Sequence, residues 1–253
     1  MTTINFYERI TEVYTLDNTP LLLSAAISFI VGYLQYTYVI RLTLREGKGP
    51  MPFWMHSFYL AHDSTWSYLL GKAATQHDEH WFLRGTSTAL LVWTSLEVWC
   101  IHRALTKERE ASFASVFGRV PSFSSALTYA AGMQLGMYSV VWLGILFMGE
   151  GCVMLWFCFT NVLIALGPTH HYMRAGSRKG LSLGFCVVNI IGTIWTFAPF
   201  GFFVLTLPEY FDRPVYYLVG CILTAYSIGC FLVVAQYPAK TKAMDKSGKT
   251  PIW

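Results

Sequence analysis

Charged side chains are scarce in this chain. Only 13% of its 253 residues are Asp, Glu, Lys or Arg, whereas 54% are hydrophobic and 17% are aromatic. A typical soluble domain carries about 25% charged residues, so this composition excludes an ordinary water-soluble fold. The positive mean hydropathy of +0.43 indicates that lipid is the main solvent of the chain. We therefore expect an integral membrane protein.

Three further sequence signals are missing. The first twenty residues contain Glu8, Glu12 and Asp17 and lack the basic start and cleavage site of a removable signal peptide, so we expect the first apolar segment to be a retained anchor. The six cysteines form no CxxC pair and no paired Cys/His spacing, which favours apolar packing over a metal site or a disulfide. No shared motif relates the first three apolar segments to the last three, which argues against a repeat-built transporter.

Seven apolar segments account for most of the chain. A hydrocarbon core of about 30 Å requires roughly 20 mostly apolar residues per helix. We therefore predict an all-α fold, a polytopic seven-transmembrane helix bundle that forms a single domain over residues 1–253. The fifth segment is short, so we expect it to be partly re-entrant, and the sixth is long, so we expect it to be tilted or kinked near Pro199. The predicted spans are residues 21–39, 53–70, 83–104, 124–148, 152–166, 181–206 and 215–236.

Basic residues are distributed unequally between the two predicted sides of the membrane. One side holds fourteen of the eighteen Lys and Arg residues. Cytoplasmic loops carry such an excess, so we expect a lumenal N-terminus and a cytoplasmic C-terminus. Residues 237–253 then form a basic cytoplasmic tail, which we expect to be mobile. The net charge of +4 is explained by this topology and gives no reason to expect a nucleic-acid partner.

Two acidic residues lie inside predicted spans. Asp63 is about ten residues into the second span and Glu97 about thirteen into the third, which places both near the membrane midplane at 1.5 Å of rise per residue. Ionisable groups are costly at that depth and mark function by default. The alternative is that such groups only join helices through hydrogen bonds. His62 is expected to point about 100° away from Asp63 around the helix, so the sequence predicts no His–Asp pair there.

Aromatic residues share helix faces with both acids. Tyr59 and Trp66 lie at i−4 and i+3 from Asp63, and Trp93 lies at i−4 from Glu97. A carboxylic acid in an apolar pocket keeps its proton near neutral pH and can donate it. Aromatic faces stabilise cations, including carbocations. The same depth arithmetic places one polar side chain from each of the last four spans in this layer, which indicates a pocket between helices. These side chains are Gln134, Asn161, Asn189 and Tyr226.

The stretch FYLAHDSTW, in a short chain of seven predicted spans, resembles the integral-membrane terpene cyclases of fungal meroterpenoid and indole-diterpene pathways. That family typically carries a Trp-Glu pair in its second helix, and Asp63 stands where the carboxylate would be. The resemblance implies that Asp63 protonates a terminal epoxide or alkene of an apolar farnesyl-type prenylated substrate, which then cyclises through carbocations. It implies no metal and no cofactor, and the sequence has no DDxxD-like cluster.

The resemblance also implies a second catalytic acid, and this sequence lacks it at the expected position. The family places a second acid in its last helix, whereas residues 215–236 contain no Asp or Glu, so Glu97 is the candidate for that role. Membrane lipids surround such an enzyme, which we expect in the endoplasmic reticulum. The predicted catalytic residues are Asp63 and Glu97, and the predicted substrate-binding residues are Tyr59, Trp66, Trp93, Gln134, Asn161, Asn189 and Tyr226.

Two other classes of function stay open. A membrane sterol or lipid isomerase uses the same chemistry, an intramembrane acid and aromatic rings that steady a cation, although its His/Glu pattern is not evident in the sequence. A small-molecule transporter is expected to have paired helix breaks in its two halves, and Pro199 with Gly201 provides only one.

Overall fold

A computed structural model describes residues 5–253, which form helices and turns and no β-strand. Among the described residues, five helical segments are long and apolar enough to cross a membrane, so the chain is an all-helical membrane protein. The α-helices are α1 (Phe6–Val13), α2 (Thr19–Glu46), α3 (Phe53–Gln76), α4 (Trp81–Thr106), α5 (Arg109–Phe117), α6 (Phe123–Met148), α7 (Val153–Met173), α8 (Leu183–Phe197), α9 (Phe202–Thr206), α10 (Pro208–Phe211) and α11 (Pro214–Gln236).

The five apolar segments are α2, α6, α7, α11 and the segment Leu183–Thr206, which α8 and α9 form together. The helices that correspond to the second and third predicted spans, α3 and α4, are 24 and 26 residues long. Both are long enough to cross a bilayer, but they are less apolar than the other five. The less apolar pair is the one that carries Asp63 and Glu97.

Two helices differ from the predicted spans. The fifth apolar segment continues through Pro168 to Met173, so α7 has 21 residues and is not short. The sixth is interrupted, because α8 ends at Phe197 and α9 begins only at Phe202. Ala198 has extended backbone angles, φ −75° and ψ 152°, which is the conformation favoured before a proline. The kink expected at Pro199 is therefore a full break in the helix.

The chain divides into two compact units. The first consists of Met1–Thr15 and Phe53–Leu155, and the second of Leu16–Pro52 and Trp156–Trp253. In the first unit, α3 and α4 pack along their length as an antiparallel hairpin, and α6 packs against α3. A core at one end of this unit joins α5 to the three long helices. That core is formed by Phe53, Ala104, Leu105, Phe113, Ala126 and Ala130.

The second unit is built on α8, which packs against both α2 and α11. Gln35 on α2 donates to Asn189 on α8 at 3.2 Å, and Asn189 donates in turn to the carbonyl of Ile164 on α7, also at 3.2 Å. Near the helix break, the hydroxyl of Ser24 donates to the carbonyl of Phe200 at 2.9 Å. Polar groups thus connect the apolar helices of this unit.

The basic tail, which the sequence predicted to be mobile, makes charged contacts with the end of α2 within the second unit. Glu46, at the end of α2, accepts hydrogen bonds from Lys240 Nζ at 2.6 Å and from the backbone N–H of Gly180 at 2.7 Å. Asp245 forms an ion pair with Arg45. One ion pair thus uses a tail lysine and the other a tail aspartate. The net positive charge of the tail did not predict either pair.

Candidate functional site

Both acids predicted to be catalytic lie in the hairpin of α3 and α4. The hairpin turns at residues 77–80, where Asp78 and Glu79 have positive φ angles of 50° and 54°. Ser67 and Ser87 fix the register, since each hydroxyl donates to the other residue's carbonyl, at 2.8 and 2.7 Å. The serine pair holds the two helices closely side by side at this level.

Asp63 is paired with its neighbour in the chain. Oδ1 of Asp63 lies 2.7 Å from Nδ1 of His62, and the two residues are only 4% and 2% exposed. The prediction that they do not pair was therefore wrong. Their Cβ atoms diverge by about 100° around the helix, but the side chains rotate towards each other. Burial removes the water that would otherwise compete for both groups.

Aromatic rings flank the imidazole of His62 along the same helix. Phe58, one turn before it, stacks at 6.0 Å between ring centroids and 23° between planes, and Trp66, one turn after it, is tilted at 6.5 Å. Trp66 is completely buried, and its indole N–H has no hydrogen-bond partner among the described residues. The rings fix the plane of the imidazole and provide π-faces for a cation at this position.

Glu97 pairs with a histidine from the other helix. Its Oε2 atom lies 2.6 Å from Nδ1 of His56, and both side chains are buried. His56 was not predicted as a site residue, because forty-one positions separate it from Glu97 and only the register of the hairpin brings the two together. His56 precedes Asp63 by seven residues, or about 10 Å along α3. The Asp63 pair and the Glu97 pair therefore lie about two helical turns apart along α3, and not at the same depth.

Tyr59 lies between these two levels. It is buried, one turn after His56 and one turn before Asp63 in the helix. Its ring meets that of Phe58 edge-on at 5.5 Å between centroids. Of the residues predicted from the sequence, Tyr59 is the one that lies one turn from both His56 and Asp63 along α3.

The remaining predicted residues of the first unit contribute in different ways. Trp93 is half-buried on α4. Gln134 on α6 donates from Nε2 to the carbonyl of Ser57 at 3.1 Å, while its buried Oε1 has no partner among the described residues. One further contact joins α6 to α3 near this level, since the hydroxyls of Tyr138 and Ser64 lie 2.9 Å apart.

The other three predicted residues belong to the second unit. The amide of Asn189 is committed to the contacts with α2 and α7 described above, and Asn161 donates to the carbonyl of Phe157 in its own helix at 2.8 Å. Both amides therefore serve helix structure in this unit. Tyr226 is half-buried on α11.

Three buried side chains of the hairpin could hold a metal ion. One donor atom each from His56, Glu97 and Cys100 lies within 4.8 Å of the others. Imidazole, carboxylate and thiolate are all zinc ligands. The hydrogen bond between His56 and Glu97 already satisfies two of these donors, so the cluster is also complete as a hydrogen-bonded pair beside a buried thiol.

Comparison of the chain with models of protein families, with curated proteins and with solved structures gives no match in any of the three. The chemistry of the hairpin is therefore the basis for assigning a function. The hairpin thus carries two buried histidine–carboxylate pairs, and imidazole and carboxyl groups are the side chains most often used in general acid–base catalysis.

Proposed function

We propose that this protein is a membrane-bound terpene cyclase that protonates an apolar prenylated substrate and cyclises it through carbocations. The observation that carries the proposal is the buried pair of Asp63 and His62, 2.7 Å apart and flanked by Phe58 and Trp66. The reaction needs a proton donor, a dry site and π-faces for the cation, and this pair with its neighbours supplies all three.

Asp63 is the proton donor in this proposal. When the N–H of His62 donates to Oδ1 of Asp63, the other carboxyl oxygen is left to carry the proton that is transferred. After transfer, the same hydrogen bond stabilises the carboxylate, because a bond to the charged form favours that form. The proton adds to the oxygen of a terminal epoxide, which opens to an alcohol and a carbocation, or to the terminal carbon of an alkene.

The cation then attacks the next double bond, and each ring closure moves the positive charge along the polyene. Aromatic faces stabilise such a charge without reacting with it, and the rings of Trp66 and Tyr59 are the buried candidates on α3. A final proton loss neutralises the product. One proton enters the substrate and one leaves, so the product is an isomer of the substrate and no cofactor is consumed.

The pair of His56 and Glu97 is the candidate acceptor for the released proton. A carboxylate bonded to an imidazole can take a proton and hold the resulting charge within the pair. Tyr59, which is buried one turn from His56 and one turn from Asp63 on α3, is the side chain proposed for the path back to Asp63. In this proposal the pair takes the role of the last-helix acid of the cyclases that the sequence resembles.

The proposal includes a topology and a location. We propose that α3 and α4 cross the bilayer together with the five more apolar segments, which gives seven spans with a lumenal N-terminus and a cytoplasmic C-terminus. The excess of Lys and Arg on one side supports this orientation. The endoplasmic reticulum is the proposed membrane, and the substrate is taken to partition into it.

The decisive experiment is product analysis by mass spectrometry. Microsomes that contain the protein are incubated with farnesylated phenols, in terminal-alkene and terminal-epoxide forms, with EDTA present. A product of unchanged mass with fewer double bonds supports the cyclase and identifies the trigger group. If neither form is converted by the wild-type protein across a broad panel, the proposal is wrong.

A sterol or lipid isomerase is the second candidate, and the pair of His56 and Glu97 favours it. A buried His–Glu pair, which the sequence did not reveal, lies across the hairpin. An isomerase moves a double bond by adding a proton at one carbon and removing one at another, so the number of double bonds stays the same. Hydrogen uptake on exhaustive hydrogenation of the product therefore separates the two candidates.

A further inference from the structure

A basic pocket lies at the C-terminal end of α2, within the second unit. Its volume is about 750 Å³, and part of its wall is formed by residues from the end of the chain. Four cationic side chains line it, together with two aromatic residues. The lining residues that carry charge or rings are Arg41, Arg45, Lys242, Lys249, Tyr38 and Trp253.

Three of the four cations have no ion pair among residues 5–253. Arg45 is paired with Asp245, whereas Arg41, Lys242 and Lys249 make no side-chain hydrogen bond or ion pair with the described part of the chain. No acidic side chain lines the pocket. Like charges that converge and outnumber their counter-charges repel one another and raise the local concentration of anions.

The tail holds this arrangement in place. The backbone N–H of Lys246 donates to the carbonyl of Arg45 at 2.7 Å, and Arg45 also donates to the carbonyl of Thr250. The main-chain oxygen of Trp253 accepts from the backbone N–H of Gly184 at 3.2 Å. The tail cations therefore face α2 from an anchored backbone, so a ligand does not have to order the tail.

We infer that this pocket binds a phosphate-bearing ligand, such as a diphosphate or a phosphate monoester group. The guanidinium of Arg41 offers the paired N–H donors that match phosphate oxygens, and the two lysines add charge. The ligand is either a lipid headgroup in the leaflet at this end of α2, where basic residues attract anionic lipids, or a soluble phosphorylated molecule. The inference is independent of the proposed function, because no residue of the pocket belongs to the hairpin.

The test uses the full-length protein in phosphatidylcholine nanodiscs. One arm titrates inorganic diphosphate and measures heat of binding, and the other arm compares the thermal unfolding temperature with and without phosphatidic acid in the nanodisc. The test variant is Arg41→Gln with Lys249→Gln. The matched control, Lys107→Gln with Arg119→Gln, removes two exposed cations from the first unit instead.

We expect wild type and control to bind alike, and the pocket variant to bind roughly 25-fold more weakly, since each interfacial cation is worth about fivefold in affinity. Binding of diphosphate alone indicates a soluble ligand, whereas stabilisation by phosphatidic acid alone indicates a lipid headgroup. If the double variant does not fold, Lys242→Gln alone should weaken binding about fivefold. The inference is overturned if wild type responds to neither probe, or if pocket and control variants weaken binding equally.

Discussion

Nδ1 of His62 lies 2.7 Å from Oδ1 of Asp63 within one helix, at a position where the imidazole is held between two aromatic rings. The second pair, His56 with Glu97, joins two helices. The first pair can lose its hydrogen bond without separating any elements of structure, whereas loss of the second exposes a buried charge to the helix interface. Function and stability should therefore respond differently to substitutions in the two pairs.

Replacement of Asp63 by Asn should abolish cyclisation while the protein still folds. The amide keeps the size of the carboxyl group and can hydrogen-bond to His62, but it has no transferable proton. General acid catalysis contributes about 10²- to 10⁴-fold, so product formation should fall by at least about a hundredfold. Product is quantified by mass spectrometry per unit of folded protein in microsomes.

The control for this substitution is Glu150→Gln, which makes the same chemical change at an exposed carboxylate paired with Lys72. It should retain full activity. An Asp63→Asn protein that is as active as wild type excludes Asp63 as the proton donor.

Replacement of His62 by Phe should slow turnover without weakening substrate binding. A phenyl ring fits between Phe58 and Trp66, so packing is preserved while the hydrogen bond to Asp63 is lost. A hydrogen bond to a charged group is worth about 1.5–3 kcal/mol, which corresponds to a fall in kcat of roughly ten- to a hundredfold at unchanged KM. Steady-state kinetics on the converted substrate measure both constants.

His170→Phe, at an exposed position of α7, provides the comparison for His62→Phe. Equal kinetics for wild type and His62→Phe would mean that the imidazole takes no part in proton transfer. A rise in KM with kcat unchanged would point instead to a role in shaping the binding site.

Substitutions of His56 and Glu97 should be strongly non-additive in stability. Glu97→Leu leaves the imidazole of His56 buried without its partner, and removal of one member of a buried pair costs about 3–5 kcal/mol. The double variant His56→Phe with Glu97→Leu replaces both groups by apolar ones and should regain most of that loss. The free energies of unfolding of wild type, His56→Phe, Glu97→Leu and the double variant are measured in mixed detergent micelles. If the loss in the double variant equals the sum of the two single losses, the two residues do not act as a pair.

The sequence was informative about the apolar helices and less so about the contacts between them. Low charge and long apolar runs predicted helices at every segment, and Pro199 marked the break between α8 and α9. The partner of Glu97 depends on the register of the hairpin, which the serine pair Ser67 and Ser87 sets through hydrogen bonds that hydropathy does not encode. The pairing of Asp63 with His62 depends on the side-chain rotamers, which the roughly 100° spacing of successive residues around a helix does not predict.

Removal of metal ions should leave activity unchanged. The three donors of His56, Glu97 and Cys100 are close enough to bind an ion, but the proposed proton transfer needs none. Activity with EDTA should equal activity without it, and Cys100→Ala should keep the same metal content as wild type in elemental analysis. The prediction is contradicted if wild type holds one equivalent of zinc that is lost in Cys100→Ala and if EDTA inhibits the enzyme. Glu97 would then be a metal ligand and not a proton acceptor.

Acid should release the tail from the end of α2. The hydroxyl of Ser247 and the guanidinium of Arg45 hold the pKa of Asp245 below its usual value, and Ser247 donates to Oδ1 from its backbone N–H at 2.8 Å and from its hydroxyl at 2.5 Å. The attached tail therefore binds fewer protons at this carboxyl than the released tail. The ionised carboxylate of Asp245 therefore stabilises the attached tail at any pH above the free Asp pKa of about 3.9. This contribution is lost as the pH falls from there through the lower pKa of the attached state.

Hydrogen exchange of the tail amides, corrected for the intrinsic rate at each pH, measures this release. Protection of the backbone N–H of Lys246, which donates to the carbonyl of Arg45, should stay constant from neutral pH down to about 4 and then fall. Asp245→Asn cannot ionise, so its protection should be lower at neutral pH and should lack the acid transition. If Asp245→Asn reproduces the wild-type profile, another contact holds the tail, and the buried pair of Glu46 and Lys240 is the first to test because both of its partners are charged.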